Sequence, residues 1–132
     1  MKKFVCLMML PLALVATNAN ARPYSDQLGV CYFFSGNKLK QKTPCVVAAG
    51  YGAGAMYTSL QIGKRDYYFE TDTMTENGKT TYKGKPVHEY TRDASFYRVL
   101  TDKELETTEN EELLFCYRTR DKKLDICYSS ND

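Results

Sequence analysis

The sequence predicts an all-β fold, a single antiparallel domain of about seven or eight short strands arranged as a small barrel or sandwich. Three observations predict it. Apolar and polar residues alternate at period two in short runs, with turn residues about every 8 to 12 positions. Tyrosine and phenylalanine, which favour sheet surfaces, account for 11 and 6 of the 132 residues. Two pairs of cysteines also bracket predicted hairpins.

The most specific prediction is a β-hairpin over residues 113–128. Pairing Cys116 with Cys127 gives a register in which charged, apolar and aromatic residues all have suitable partners: Arg118 faces Asp125, Tyr117 faces Ile126 and Phe115 faces Tyr128. The four residues 120–123 fit a type I turn. This register also brings the two cysteine backbones close enough for a disulfide.

Residues 1–21 have the pattern of a cleaved signal peptide. Two lysines precede an apolar run, Phe4 to Ala16, and Ala19-Asn20-Ala21 places small residues where a signal peptidase cleaves. The run is shorter than the roughly 20 residues of a membrane-spanning helix. We therefore expect no membrane span, and we expect residues 22–132 to form one domain in the periplasm or outside the cell.

Signal cleavage changes the charge of the chain. Two of the 18 basic residues and none of the 16 acidic residues lie in the signal segment, so the mature chain carries 16 of each. A protein that binds nucleic acid needs an excess of basic side chains to neutralise phosphates. Nucleic acid is therefore not an expected partner.

Four cysteines remain in the mature chain, and an even number in a short exported chain indicates two disulfides in an oxidising compartment. Three pairings are possible. Cys31–Cys45 with Cys116–Cys127 is favoured because each pair closes a predicted hairpin. No thiol is then left for a metal, and we interpret the single histidine, His88, as an ordinary strand residue, so no metal, cofactor or catalytic residue is predicted.

The first predicted strand is Leu28–Ser35, with Val30, Tyr32 and Phe34 on one face. After a turn, alternating lysines at 38–42 predict an edge strand that Pro44 ends, and a short strand follows at 45–49.

Residues 56–62 and 67–71 predict a second hairpin, with Met56, Thr58, Leu60 and Ile62 on one face. Asn77-Gly78 predicts a type I′ hairpin with polar arms. Residues 87–92 and 95–100 predict two further strands. Thr101 and Glu104 have the form of a capping box, which predicts one or two helical turns or a charged loop before the last hairpin.

The glycine-rich segment 50–55 is a candidate binding loop, predicted as a loop or a sharply bent, bulged strand. It would present Tyr51, Met56 and Tyr57 to a partner, since tyrosine and methionine are favoured at contact surfaces. A purely structural bend at a barrel corner is the alternative.

A cluster of acidic residues at 102–112 is the second candidate surface. Glu109, Glu111 and Glu112 would attract a basic protein partner, whereas the alternative is a solvated loop that maintains solubility.

Gly54-Ala55-Met56-Tyr57, after a strand and a cysteine, resembles in part the Ser-Gly-x-x-Tyr loop that periplasmic C-type lysozyme inhibitors insert into the enzyme cleft. The resemblance covers a handful of residues. The serine before the glycine is absent, the tryptophan strand of those inhibitors has no counterpart, and two local disulfides are not their pattern. It implies an inhibitor that contacts its target through this loop.

Together these features predict an exported, non-catalytic binding protein of the bacterial envelope, an inhibitor or immunity protein that blocks another protein. Three alternatives remain: a module that binds a small molecule or glycan at a barrel mouth, a lysozyme-inhibitor-like protein, and a hydrolase with two paired carboxylates, although no spacing singles out such a pair. The sequence does not specify an oligomeric state.

Overall fold

The computed structural model describes residues 22–23, 25–108 and 112–130, so the predicted signal segment lies outside the described residues. Ten strands and one short helix follow one another along the chain: β1 Arg22–Pro23, β2 Gln27–Ser35, β3 Lys38–Gly52, β4 Ala55–Ile62, β5 Arg65–Asp72, β6 Thr80–Tyr82, β7 Lys85–Asp93, β8 Val99–Leu100, α1 Asp102–Thr107, β9 Leu113–Thr119 and β10 Asp125–Ser130.

Eight of these strands form a closed antiparallel barrel, which confirms the predicted all-β class. The order around the barrel is β2, β3, β4, β5, β6, β7, β9 and β10, and β10 pairs again with β2. The short strands β1 and β8 pair with β3 and β7.

Strand β3 closes the barrel because it pairs with both of its neighbours. Residues 38–47 pair with β2, and residues 46–52 pair with β4. The predicted end of this strand at Pro44 is wrong. Pro44 pairs with β2 before the β4 ladder begins, so no second neighbour needs the hydrogen bond that proline lacks.

The connections between strands alternate between the two ends of the barrel. We call one the turn end; it holds the tight connections 36–37, 63–64, 83–84 and 120–124. We call the other the loop end; it holds the connections 53–54, 73–79 and 94–112.

The centre of the barrel is filled by apolar side chains. Leu60, Phe69 and Ile126 are fully buried there, together with the disulfide between Cys31 and Cys45. The rings of Phe69 and Tyr117 are stacked with their centroids 4.0 Å apart. Full burial of each large aliphatic or aromatic side chain contributes about 1.5–3 kcal/mol, so this core is a main source of stability.

A second apolar cluster lies on the outer wall of the barrel. Tyr32, Phe34 and Leu114 pack there around the disulfide between Cys116 and Cys127, and Tyr97 from the 94–112 connection packs against them. The sequence correctly places Val30, Tyr32 and Phe34 on one face. Strand β2 is buried on both faces at this point, because the connection covers its outer side.

Both predicted disulfides and the predicted register of the last hairpin are confirmed, with Cys116 opposite Cys127 and Arg118 opposite Asp125. This register does not make the two opposite charges an ion pair. Asp125 is buried and pairs with Arg92 of β7, 3.5 Å away, whereas Arg118 lies over the ring of Tyr90.

Arg92 is buried, and its guanidinium makes several polar contacts. Its side chain is 1% exposed. The guanidinium donates to the carbonyl oxygen of Tyr97 at 2.9 Å and to that of Gly36 at 3.0 Å, and it lies 4.1 Å from the centroid of the Phe34 ring. Arg92 therefore joins the 94–112 connection to the barrel wall.

The predicted type I′ hairpin at Asn77-Gly78 is wrong, because residues 73–79 form a longer connection. The Asp72 carboxylate organises it by accepting hydrogen bonds from the Met74 amide at 2.8 Å and the Thr75 hydroxyl at 3.3 Å. Gly78 is required for a close approach, since a Cβ atom there would lie 1.7 Å from the Asp72 carbonyl oxygen.

The helical alternative for residues 101–107 is confirmed by α1. The Thr101 hydroxyl accepts a hydrogen bond from the Glu104 amide, and the Glu104 carboxylate accepts one from the Thr101 amide. This is the predicted capping box.

Removing the outer disulfide with Cys116→Ser/Cys127→Ser should lower the free energy of unfolding by about 3 kcal/mol, because the unfolded chain gains the freedom of an open loop. Urea denaturation of the oxidised proteins measures the difference. An unchanged midpoint and slope would contradict this expectation.

Arg92→Met should destabilise the fold by roughly 3–5 kcal/mol, because it leaves the buried Asp125 carboxylate without its cation. Arg98→Met is the matched control: its side chain is 62% exposed where it pairs with Glu104 and with Asp93, so we expect a much smaller loss than in Arg92→Met. Equal losses of the free energy of unfolding in the two variants, measured by urea denaturation, would contradict a larger contribution of the buried ion pair.

Candidate functional site

The glycine-rich segment forms a regular hairpin at the loop end, which corrects the expected loop or bulged bend. The β3–β4 pairing continues to its tip, where Gly52 faces Ala55. Ala53 and Gly54 both have positive φ, 51° and 78°, as a type I′ turn requires. The hairpin is therefore an ordered projection of the barrel wall, and we call residues 50–57 the glycine hairpin.

Tyr51 and Met56 form the exposed face of the glycine hairpin. They are a cross-strand pair, so their side chains lie on the same face, 42% and 49% exposed. The structure therefore brings together two of the three residues that the sequence proposed for this loop.

Tyr57 points to the opposite face of the hairpin. Its ring covers Gly50, where a Cβ atom would lie 2.6 Å from the Tyr57 hydroxyl, and stacks on Tyr68 with centroids 5.6 Å apart. Tyr57 thus packs against the outer wall and does not join the Tyr51–Met56 face. Consecutive residues of a strand point to opposite faces, so Tyr57 must point away from Met56. The prediction of a loop for this segment did not include this alternation.

Met74 adds a residue to this surface that the sequence analysis missed. It is 79% exposed and lies beside Gly54, since a Cβ atom on that glycine would be 2.6 Å from Met74 Cγ. The Thr73 amide donates to the Gly54 carbonyl oxygen at 2.8 Å and joins the two connections. No local sequence pattern predicts this contact between segments 20 residues apart.

Of the predicted acidic site, Glu112 is exposed at the loop end, directly before β9. Glu109 and Glu111 lie outside the described residues. Glu112 is four strands from β4 around the barrel, so it lies across the loop end from the glycine hairpin.

An aromatic cleft of about 530 Å³ opens between the barrel and the helix α1. Phe115, Tyr117 and Tyr128 line its inner side, and Leu100 and Leu105 line the side formed by the 94–112 connection. Phe115 contacts Tyr128, and Tyr128 stacks on Tyr117, so a series of rings leads from the entrance to the filled core. The volume lies within the usual range of ligand pockets.

Two carboxylates, Glu89 and Asp102, line the cleft together with several hydroxyl groups, among them those of Tyr117 and Tyr128. Burial raises the pKa of Tyr117, and Tyr128 and the Glu89 carboxylate raise it further. Burial and Glu89 also raise the pKa of Tyr128. Both hydroxyls stay protonated at neutral pH, so the cleft presents aromatic surface with two carboxylates, Glu89 and Asp102.

His88 is exposed at the edge of the cleft, with its ring stacked on Tyr90 at 5.7 Å.

Within residues 22–23, 25–108 and 112–130, no three histidine, cysteine, aspartate or glutamate side chains gather as metal ligands. Among the same residues, no helical segment combines the length and the apolar composition of a membrane span.

Comparison of the chain with protein-family models, with curated proteins and with solved structures returns no match.

The free energy of unfolding should fall at alkaline pH because of Tyr90. Burial raises the pKa of Tyr90, and the Asp125 carboxylate that accepts its hydrogen bond raises it to about 12, against the opposing effect of Arg92. The unfolded tyrosine ionises near pH 10. The contribution of Tyr90 is complete below pH 10 and is lost as the pH rises to about 12.

Urea denaturation between pH 9 and 12 should show a steeper fall in the free energy of unfolding for the natural protein than for Tyr90→Phe. Tyr117 and Tyr128 are present in both proteins, so the difference isolates Tyr90. Parallel pH profiles would contradict the raised pKa of this residue.

Proposed function

We propose that the protein is an exported, non-catalytic binding protein of the bacterial envelope that blocks another protein, as an inhibitor or an immunity protein does, through its loop end. One observation carries the proposal. Of the eight exposed large apolar side chains among the described residues, six lie at this end: Tyr51, Met56, Met74, Phe96, Val99 and Phe115. A concentration of exposed apolar side chains at one end is typical of a surface that a protein partner covers.

The glycine hairpin is organised before any partner binds. Seven consecutive residue pairs join β3 to β4, and the 73–79 connection supports the tip through the Thr73–Gly54 hydrogen bond. A contact surface that is already ordered loses little conformational entropy on binding, so more of the contact energy appears as affinity.

Charge at the loop end favours a partner with basic groups around an apolar contact. Exposed Glu70 and Asp72 line a groove beside Gly54 and Met74, with Lys79 the one basic residue in its lining. Such an acidic margin attracts a basic surface and accelerates association.

The compartment fits this proposal. Two disulfides in a small β-barrel fit an oxidising or extracellular environment. The predicted signal peptide supports export, and the partial resemblance of residues 54–57 to the loop of C-type lysozyme inhibitors makes cell-wall hydrolases the first partner class to test.

The aromatic cleft favours a second candidate function, an envelope module that binds a small molecule or glycan. Phe115 is 49% exposed although its pairing with Tyr128 places it on the inner face of the barrel, so its ring is open to a ligand that enters the cleft. The filled centre confines such a ligand to the mouth of the barrel.

We expect the oxidised protein, residues 22–132, to inhibit a peptidoglycan hydrolase, and Tyr51→Ala/Met56→Ala to weaken inhibition at least tenfold, since central apolar contacts of an interface contribute about 2 kcal/mol or more each. The measurements are inhibition of C-type lysozyme and of purified envelope hydrolases, with dissociation constants from surface plasmon resonance. Tyr68→Ala is the matched control, because Tyr68 is a similarly exposed tyrosine on the outer wall, 44% against 42% for Tyr51.

Equal weakening by Tyr68→Ala, or no effect of the double variant, would contradict the assignment of the surface. Failure to inhibit any hydrolase and to retain any protein from an envelope extract would contradict protein blocking. A change in tyrosine fluorescence on adding soluble peptidoglycan fragments, abolished by Phe115→Ala, would instead establish the second candidate; the chain has no tryptophan to obscure that signal.

A further inference from the structure

The turn end of the barrel is strongly basic, although the mature chain has no formal net charge. Eight basic residues lie within or directly beside its four turns: Lys38, Lys64, Arg65, Lys83, Lys85, Arg120, Lys122 and Lys123. The acidic residues there are Asp121 and Asp125, and Asp125 is buried against Arg92. The fold thus collects cations that are dispersed along the sequence.

Four of these cations surround a cleft of about 570 Å³ between the 83–84 and 120–124 turns, which we call the basic cleft. Lys83, Lys85, Arg120 and Lys123 line it, and all four side chains are exposed. None of them forms an ion pair with a described residue; Lys83 lies over the ring of Tyr82 at 5.3 Å. Four positive charges held together with a single carboxylate, Asp121, create a positive potential that attracts anions.

The one carboxylate of the basic cleft, Asp121, forms hydrogen bonds within its own turn. Asp121 accepts hydrogen bonds from the Thr119 hydroxyl at 2.7 Å and from the Lys123 amide at 3.0 Å. It fixes the backbone that presents Arg120 and Lys123, and it offsets a single positive charge. Three positive charges remain for a ligand.

The floor of the basic cleft is apolar and rigid. Tyr82, Pro86 and Leu124 line it. The Tyr82 ring is held by Phe69, 5.1 Å away, and by Tyr67, 6.4 Å away, both of the inner core. A ligand can therefore place an anionic group among the cations and an uncharged ring or chain against Tyr82.

We propose that the basic cleft binds a phosphate-bearing ligand whose phosphate lies among Lys85, Arg120 and Lys123 and whose sugar or glycerol part lies on Tyr82. The excess of three positive charges suits a phosphate, and arginine binds phosphate oxygens through two parallel hydrogen bonds. A phospholipid headgroup and a soluble sugar phosphate share this chemistry. The site lies at the opposite end of the barrel from the glycine hairpin and does not depend on its function.

The test uses two soluble anionic probes, dihexanoyl phosphatidylglycerol below its micelle concentration and glucose 6-phosphate, with dihexanoyl phosphatidylcholine and glucose as neutral counterparts. Calorimetry at low ionic strength gives affinities, and amide chemical shifts in NMR spectra locate the site. We expect an anionic probe to shift the amides of 83–85 and 120–124, and Lys85→Glu/Lys123→Glu to weaken its binding by about tenfold or more, because half of the cations are reversed.

Lys79→Glu/Lys103→Glu is the matched control, since it changes the net charge equally at the loop end, and it should change affinity less than twofold. Binding of the lipid alone or of the sugar phosphate alone assigns the source of the ligand, and either supports the site. Equal weakening by the control, equally tight binding of a neutral counterpart, or no binding of either anionic probe would overturn the proposal.

Discussion

The architecture depends on the double pairing of β3. A backbone that leaves water must find hydrogen-bond partners, and a sheet can satisfy this on every strand by closing on itself. Strand β3 makes closure possible because its first part pairs with β2 and its last part with β4. If the strand ended at Pro44, β4 would lose its neighbour and the glycine hairpin would have no base. The two ends of the molecule, and every surface discussed above, therefore follow from one uninterrupted strand of 15 residues.

The features that the sequence predicted correctly are those determined by nearby residues. The last hairpin, both disulfides and the capping box at Thr101 involve partners within 14 positions of each other. The errors concern interactions that the local residue pattern does not specify, whether the partner is distant or close in the sequence. Asp125 forms its ion pair with Arg92, 33 positions away, and not with Arg118, which lies opposite it in the hairpin. Asn77-Gly78, a strong turn signal, became part of a longer connection because the Asp72 carboxylate organises the backbone there.

The candidate surfaces show the same division. The sequence proposed Tyr51, Met56 and Tyr57 together as residues of a loop, whereas the strand pairing puts Tyr51 and Met56 on one face and Tyr57 on the other. Met74 joins the pair through a contact between two connections, which periodicity does not encode. The basic turn end was invisible in the sequence because its cations come from four separate turns, whereas the acidic cluster at 102–112 was conspicuous because its members are contiguous.

The burial of the two disulfides has a consequence for biogenesis. The bridge between Cys31 and Cys45 lies inside the barrel, and the bridge between Cys116 and Cys127 lies beneath the 94–112 connection, with all four sulfur-bearing residues at most 4% exposed. An oxidant cannot reach these thiols in the finished molecule. Oxidation must then precede the last step of folding or await a transient opening, so the order of these two events determines how much of the newly made chain reaches the disulfide-bonded fold.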